Sequence, residues 1–218
     1  MTRIAVYCGA SVGNSPTFAE AARTLGSTLA HAGIGVVYGG ASRGLMGALA
    51  DGALAAGGEV IGVLPHSLSH REIAHHGLTA LHLVDTMHER KARITELADA
   101  FVALPGGIGT LDELFEAWTW AQIGIHTKPI ALLDVDGFYQ PLLAYLRTVV
   151  DAGFLTRERL DSLHVARDVD ALMIVLRGAV VEPRGVSTNA PPPRYAALTE
   201  SPTDTSTGSS PVSQQVLP

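Results

Sequence analysis

Short apolar runs alternate with amphipathic helical stretches along most of the chain, and this alternation leaves few architectures open. Arg3 to Cys8 reads as a strand and Pro16 to Ala32 as a helix ending at Gly33. Gly35 to Tyr38 is a second strand, Arg43 to Ala56 a helix closed by Gly57 and Gly58, and Glu59 to Leu64 a third strand. Leu81 to Val84 reads as a short strand before a helix from about Met87 to Leu97. Asp99 to Leu104 is a strand running into a helix from Thr110, with Leu111, Leu114, Phe115 and Trp118 on one stripe. Pro129 to Leu133, a helix from Phe138 to Asp151, a strand near His164 and a helix from Val169 to Gly178 complete the series. The strands are apolar throughout, as strands buried on both faces are. The sequence therefore predicts an α/β fold, a doubly wound parallel sheet with helices on both faces, in one domain over residues 1–181. Ligands of such sheets bind outside the carboxyl ends of the strands.

From about Glu182 the composition turns to Pro, Ser and Thr, including Pro191, Pro192 and Pro193. Such a segment buries too little apolar surface to offset its ordering entropy, so 182–218 is expected to be a disordered tail. The start MTRIAVYCGA is too short an apolar run for a secretory leader, and a single cysteine, Cys8, fits a reducing compartment; both point to the cytoplasm. No apolar run is long enough to span a bilayer, so no membrane partner is expected. The net charge of −6 argues against nucleic acid as a partner, although a few arginines could still hold a small anion.

The chemistry-bearing segments fall at strand ends. Pro105, Gly106, Gly107 and Gly109 break the chain ahead of the Thr110 helix, so backbone amides and the positive end of the helix dipole can face an anion with no Cβ in the way. Asp112, Glu113 and Glu116 follow closely, which a plain phosphate cradle does not need. Thr110 and Glu113 have capping-box spacing, which gives Glu113 a structural alternative as partner of the Thr110 N–H. Glu113 and Glu116 share a helix face and would repel by a few tenths of a kcal/mol (~0.3) if exposed, which a partner developing positive charge would offset. A cleaving glycosidic bond develops such a charge.

The segment from Asp85 to Lys91 also has capping-box spacing, at Thr86 and Glu89. Arg90 and Lys91 follow in the first turns, against the helix dipole, which points either to an anionic partner or to a solvated surface. Tyr38 to Gly47 carries Gly39 and Gly40 at a strand end, Ser42 as a cap and Arg43 at the helix start; tight packing and ligand binding both explain it. The glycine-containing turn from Cys8 to Asn14 lacks the dinucleotide spacing, and no acid ends the second strand, which argues against a standard NAD site. His66, His70, His75 and His76 show no metal-ligand spacing, and only Glu72 among them is kept as a ligand contact. Cys8 reads as a small buried residue rather than a nucleophile.

YGGASRGLMG, MHERKA, LPGGIGTLDELFEAWTWAQIG and HTKPIALLDVDGFY together resemble the LOG (Lonely guy) family of cytokinin riboside 5′-monophosphate phosphoribohydrolases, from about Arg3 to Gly178. The resemblance implies a Rossmann-like fold, a homodimer, and hydrolysis of the N-glycosidic bond of an N6-substituted AMP to free base and ribose 5-phosphate, with no cofactor and no metal. It implies Arg90 and Glu113 as the catalytic pair, and substrate contacts at Glu72, Arg90, Lys91, Gly107, Ile108, Gly109, Thr110, Leu111, Asp112, Glu113 and Thr119, with Gly106, Gly39 and Gly40 beside them. Ala41 replaces the third glycine of the family's second turn. On this reading the glycine loop and Thr110 hold the 5′-phosphate, and Glu113 stabilises the cationic ribosyl or activates water. Arg90 orients the carboxylate, contacts phosphate, or stabilises the departing base. An apolar pocket for the N6 group is expected, though no single segment marks it. Older schemes label such proteins lysine decarboxylases, but only Lys91 and Lys128 are present and neither has the surroundings of a Schiff-base lysine. Two alternatives stay open: a nucleotide- or cofactor-binding protein without turnover, and a hydrolase of other N-ribosides.

Overall fold

The structure is a computed structural model and describes residues 2–69 and 74–181. Among the described residues, seven parallel strands form one sheet in the order β4-β3-β2-β1-β5-β6-β7. They are β1 (Arg3–Tyr7), β2 (Gly35–Tyr38), β3 (Val60–Pro65), β4 (Ala80–Val84), β5 (Ala100–Ala103), β6 (Ile130–Leu133) and β7 (Leu163–Ala166). The inner strands β2, β3, β5 and β6 are buried along their whole length, which is why they carry Val, Ile, Leu and Ala without alternation. Helices α1 (Pro16–His31), α2 (Gly44–Ala55) and α8 (Val169–Val181) cover one face. The other face carries α4 (Met87–Leu97), α5 (Ile108–Gln122), α6 (Gln140–Asp151) and α7 (Arg157–Asp161). One short helix, α3 (His66–Ser69), follows β3. The doubly wound α/β fold expected from the alternation is the one observed.

Two connections matter for function. The chain steps outward from β1 to β4, returns, and steps outward again from β5, so the winding reverses between β1 and β5. The carboxyl ends of these two neighbours frame the crevice where such sheets bind ligands. Helix α4 makes the return, crossing under β3, β2 and β1 on the way from the edge strand β4 to β5. Its first turn is thereby set beside the helix that leaves β5.

Several local expectations are corrected. Helix α5 begins at Ile108, not Thr110: Gly107 takes the N-cap position in extended conformation, and the Leu111 N–H already donates to the Gly107 carbonyl at 3.2 Å. Thr110 lies inside the first turn, so the expected Thr110–Glu113 capping box does not form. Helix α2 begins at Gly44 with Arg43 as N-cap and no side-chain cap bond, so Ser42 does not occupy the cap position. Helix α6 starts at Gln140 because Asp134 holds the preceding turn, accepting from the Tyr139 N–H at 2.7 Å and Gln140 Nε2 at 2.5 Å. The short helices α3 and α7 have too little periodicity to be read, although Thr156 does cap α7, accepting from the Arg159 N–H. The expected tail at 182–218 and the residues His70, Arg71 and Glu72 lie outside the described residues.

Candidate active site

At the carboxyl edge of the sheet, the loops after β1, β2 and β5 are tied together by backbone contacts. The Gly9 N–H donates to the Pro105 carbonyl at 3.1 Å, and the Leu45 N–H donates to the Gly9 carbonyl at 3.0 Å. Tyr139 fixes the β5 end from the other side, its hydroxyl donating to the Leu104 carbonyl at 2.6 Å. The glycines have distinct duties here. A Cβ at Gly106 would collide with Thr110 Oγ1 and lie 2.9 Å from the Gly9 nitrogen, so close packing demands glycine there. Gly40 has φ 77°, a left-handed turn in which its carbonyl accepts from the His75 N–H. Gly107 and Gly109 differ: a Cβ at either would meet nothing within 4 Å, and neither has positive φ. No packing requirement explains them, and both border open space at the uncapped start of α5.

Behind that opening lies a layer of buried charge. Arg90, in the first turns of α4, donates from Nη1 to Glu113 Oε1 at 2.7 Å and from Nε to the Val63 carbonyl at 3.1 Å. Its side chain is 12% exposed and that of Glu113 11%. Lys91 pairs with Asp112 at 2.8 Å and Glu116 at 3.4 Å. The two cations set against the α4 dipole thus face the three acids of α5 rather than solvent. The expected Glu113–Glu116 repulsion is reduced, because Arg90 pairs with Glu113 while Lys91, shared with Asp112, pairs with Glu116. Removing one partner of such a buried pair typically costs ~3–5 kcal/mol.

Burial pushes the Glu113 carboxyl above the ordinary carboxylate range, opposed by Arg90 and Lys91. Burial pulls the Lys91 ammonium down, but Asp112 and Glu116 outweigh it and its pKa stands above the ordinary lysine value. Under the pair lies Tyr7 at the end of β1, stacked on Phe101; burial, with Glu113 and Glu116 nearby, pushes its phenol well above the usual value. Burial likewise pushes the Cys8 thiol up, leaving it neutral and poorly nucleophilic.

The remaining residues of interest are spread around this centre. Thr110 is buried beneath Gly106, with 3% of its surface exposed. Leu111 is half-buried on the core side of α5, and Asp112 is largely exposed beyond its Lys91 contact. Ile108 is 82% exposed at the helix start. Thr119 is exposed about 9 Å further along α5 than Glu113, by helical rise. His75 pairs with Asp51 at 3.0 Å, and among the described residues no group of three His, Cys, Asp or Glu side chains could hold a metal ion. Lys128 donates to the Thr95 carbonyl at 2.5 Å, a structural contact. Nothing in the sequence marked Tyr7 beneath Glu113, the Tyr139 hydroxyl on Leu104, or the contact between Gly39 and Arg90, since each joins residues distant along the chain.

The fold and this cluster define a Rossmann-like α/β protein with a charged centre at the topological switch point. The family described as possible lysine decarboxylase matches residues 46–176. The chain is 44% identical over 175 residues to the cytokinin riboside 5′-monophosphate phosphoribohydrolase of Rhodococcoides fascians, covering 80% of this chain and 88% of that protein. It is 49% identical over 154 residues to LOG2 of Arabidopsis thaliana, which carries the same name, covering 71% of this chain and 72% of the relative. The chain belongs to this family, the LOG family. Among solved structures, the structural-genomics target TM1055 is 27% identical with a TM-score of 0.62, over 82% of this chain and 99% of that one. The molybdenum cofactor carrier protein of Chlamydomonas reinhardtii is 25% identical with a TM-score of 0.64, over 83% and 99%.

Proposed function

We propose that this chain hydrolyses the N-glycosidic bond of N6-substituted adenosine 5′-monophosphates, and of AMP, releasing the free base and ribose 5-phosphate. The observation that carries this reading is the buried Arg90–Glu113 pair at 2.7 Å, close behind the uncapped start of α5. The amides from Gly107 to Thr110, with Gly106 shaping the loop, take the 5′-phosphate, and the helix dipole favours its charge. Gly107 and Gly109 leave the room that the phosphate needs. Helical rise sets Glu113 about 8 Å beyond Ile108, within reach of the sugar of an anchored nucleotide.

In the reaction, the bond from C1′ to the base breaks and its electron pair leaves with the base. Glu113 stabilises the positive charge gathering at C1′, then accepts a proton from the water that adds there; the departing base takes up a proton from solvent, to which Glu113 returns its own. Among the roles open to Arg90, its 2.7 Å contact supports orientation of that carboxylate. Lys91 pairs with both Asp112 and Glu116 and so offsets part of the negative charge beside Glu113.

Exposed apolar side chains ring the same edge: Val12, Met87, Ile108 and Phe138 each follow a strand's carboxyl end. An apolar N6 substituent would cover part of this rim, which supports a substituted adenine over plain AMP as the preferred substrate. The same reading takes 1–181 as the catalytic unit and a homodimer in the cytoplasm as its working form, with Glu72, Thr119 and Gly40 as further substrate contacts and neither nucleic acid nor membrane as partner. Among the described residues no helix is long and apolar enough to cross a membrane.

A second reading draws on the carrier-protein likeness: a nucleotide- or cofactor-binding protein without turnover. Incubation with AMP, N6-isopentenyl-AMP and the corresponding nucleosides, read by chromatography, separates the two. The hydrolase yields base and ribose 5-phosphate from the monophosphates and far less from the nucleosides. Tight AMP binding with no product favours the carrier.

A further inference from the structure

Gly39 follows β2 directly and lies one residue before the left-handed turn at Gly40, yet its own backbone does not call for glycine, since its φ is not positive. The demand comes from across the sheet. A Cβ built at Gly39 would collide with Nη2 of Arg90 and would lie 3.0 Å from Met46 Sδ. The guanidinium is therefore held on three sides: Nε on the Val63 carbonyl, Nη1 on Glu113, and Nη2 against the bare Gly39 backbone. The first two contacts fix a direction, and the third is available only because position 39 lacks a side chain.

The geometry points to Gly39 as a positioning residue, the seat that lets the Arg90 guanidinium lie where it grips Glu113. This rests on the hydrolase reading for its consequence in turnover, but not for the contact itself. Gly39 thereby acts through Arg90 rather than through a bound nucleotide, which separates it from Gly107 and Gly109, where an added Cβ meets open space. A methyl group at 39 displaces Arg90 and leaves Glu113 buried without its hydrogen-bonded cation. The groups then facing Glu113 are Lys91 from α4, Asp112 and Glu116 from α5, and the neutral Tyr7 and Cys8 from β1.

The test is a double-mutant cycle of Gly39→Ala and Arg90→Ala, read by melting temperature, by kcat and KM on N6-isopentenyl-AMP, and by the pH profile of kcat. Gly39→Ala alone is expected to lower kcat ~10- to 100-fold with KM changed less than about threefold, and to move the acid limb of the profile to higher pH. In the Arg90→Ala background the same substitution is expected to change kcat less than about twofold and to leave the melting temperature unmoved. Equal losses in both backgrounds overturn the assignment, as does recovery of Gly39→Ala by Met46→Ala, which would make the thioether the true obstacle. If Gly39→Ala fails to fold, the double variant is expected to fold as well as Arg90→Ala alone, and its failure overturns the assignment. A wild-type chain that turns over no monophosphate sinks the hydrolase reading, while the melting temperatures of the four proteins still decide the seat.

Discussion

Arg90 and Glu113 meet at 2.7 Å although they stand on different helices, and the crossover from β4 to β5 is what joins them. Because α4 must pass under β3, β2 and β1, its first turn arrives at the carboxyl end of β3, where the Val63 carbonyl receives Arg90. Helix α5 leaves the neighbouring β5 and presents its acids to α4. A cation unfavourable at one helix start and an acid inside another are thus matched across the switch point of the sheet.

The glycines of the β5–α5 loop should separate by function. Gly106→Ala meets Thr110 and the Gly9 nitrogen, so it should destabilise the fold by roughly 1–3 kcal/mol, measured by denaturant unfolding. Gly109→Ala meets open space and should leave stability within about 0.5–1 kcal/mol of the parent while raising KM for a 5′-monophosphate. An unchanged KM in Gly109→Ala would move the phosphate elsewhere.

Lys91 should matter to stability through its two acids. Lys91→Met leaves Asp112 and Glu116 without their cation, and roughly 1–2 kcal/mol of stability should be lost. Asp112 is well exposed, so that figure lies below the cost of breaking a fully buried pair. Adding Glu116→Gln should recover part of the loss in thermal melts; a double variant less stable than Lys91→Met would contradict the pairing.

His126 gives the fold a pH dependence distant from Glu113 in sequence. Burial first, then Lys128, pushes its pKa down to about 4, while its ring packs on Phe101. The unfolded chain binds its proton more tightly, so the neutral ring's contribution is complete above about pH 6.5 and falls away as pH drops toward 4. His126→Phe should flatten the stability curve over that window by on the order of 2 kcal/mol. A curve of unchanged slope would place the acid sensitivity elsewhere.

Ile108, bare at the start of α5, should tune the choice of base. Ile108→Ser should reduce kcat/KM for N6-isopentenyl-AMP by ~10-fold while changing AMP turnover less than about threefold, since a lost apolar contact is worth about 1–3 kcal/mol. Equal effects on both substrates would remove the apolar rim from the account.

The strands were largely legible because burial on both faces leaves an apolar run bounded by glycine and polar residues: Gly35 to Tyr38 was read at its true bounds. Helix starts were less so. The spacing of Thr110 and Glu113 fits a capping box, but Gly107 takes the cap position, and Glu113, once on the inner side of α5, finds Arg90. The Thr86–Glu89 pair shows the same effect in milder form: Thr86 accepts from the Glu89 N–H as expected, while the Glu89 carboxylate reaches the Asp85 N–H. The cations of α4 carried a real signal, their unfavourable position on the dipole, though sequence spacing could not name Glu113, Asp112 and Glu116 as their partners. Gly39 stayed ambiguous for the same reason. Its neighbour Arg90 lies two strands and a crossover away in the chain.

The account depends on Glu113 serving as the carboxylate at the reacting carbon. Turnover of N6-isopentenyl-AMP by Glu113→Gln tests it most directly, because the amide keeps the shape and an oxygen for Arg90 while removing the charge. A loss of ~100- to 10,000-fold in kcat, in a protein that still folds and binds AMP, is the predicted result. Release of ribose 5-phosphate at close to the parent rate would contradict it.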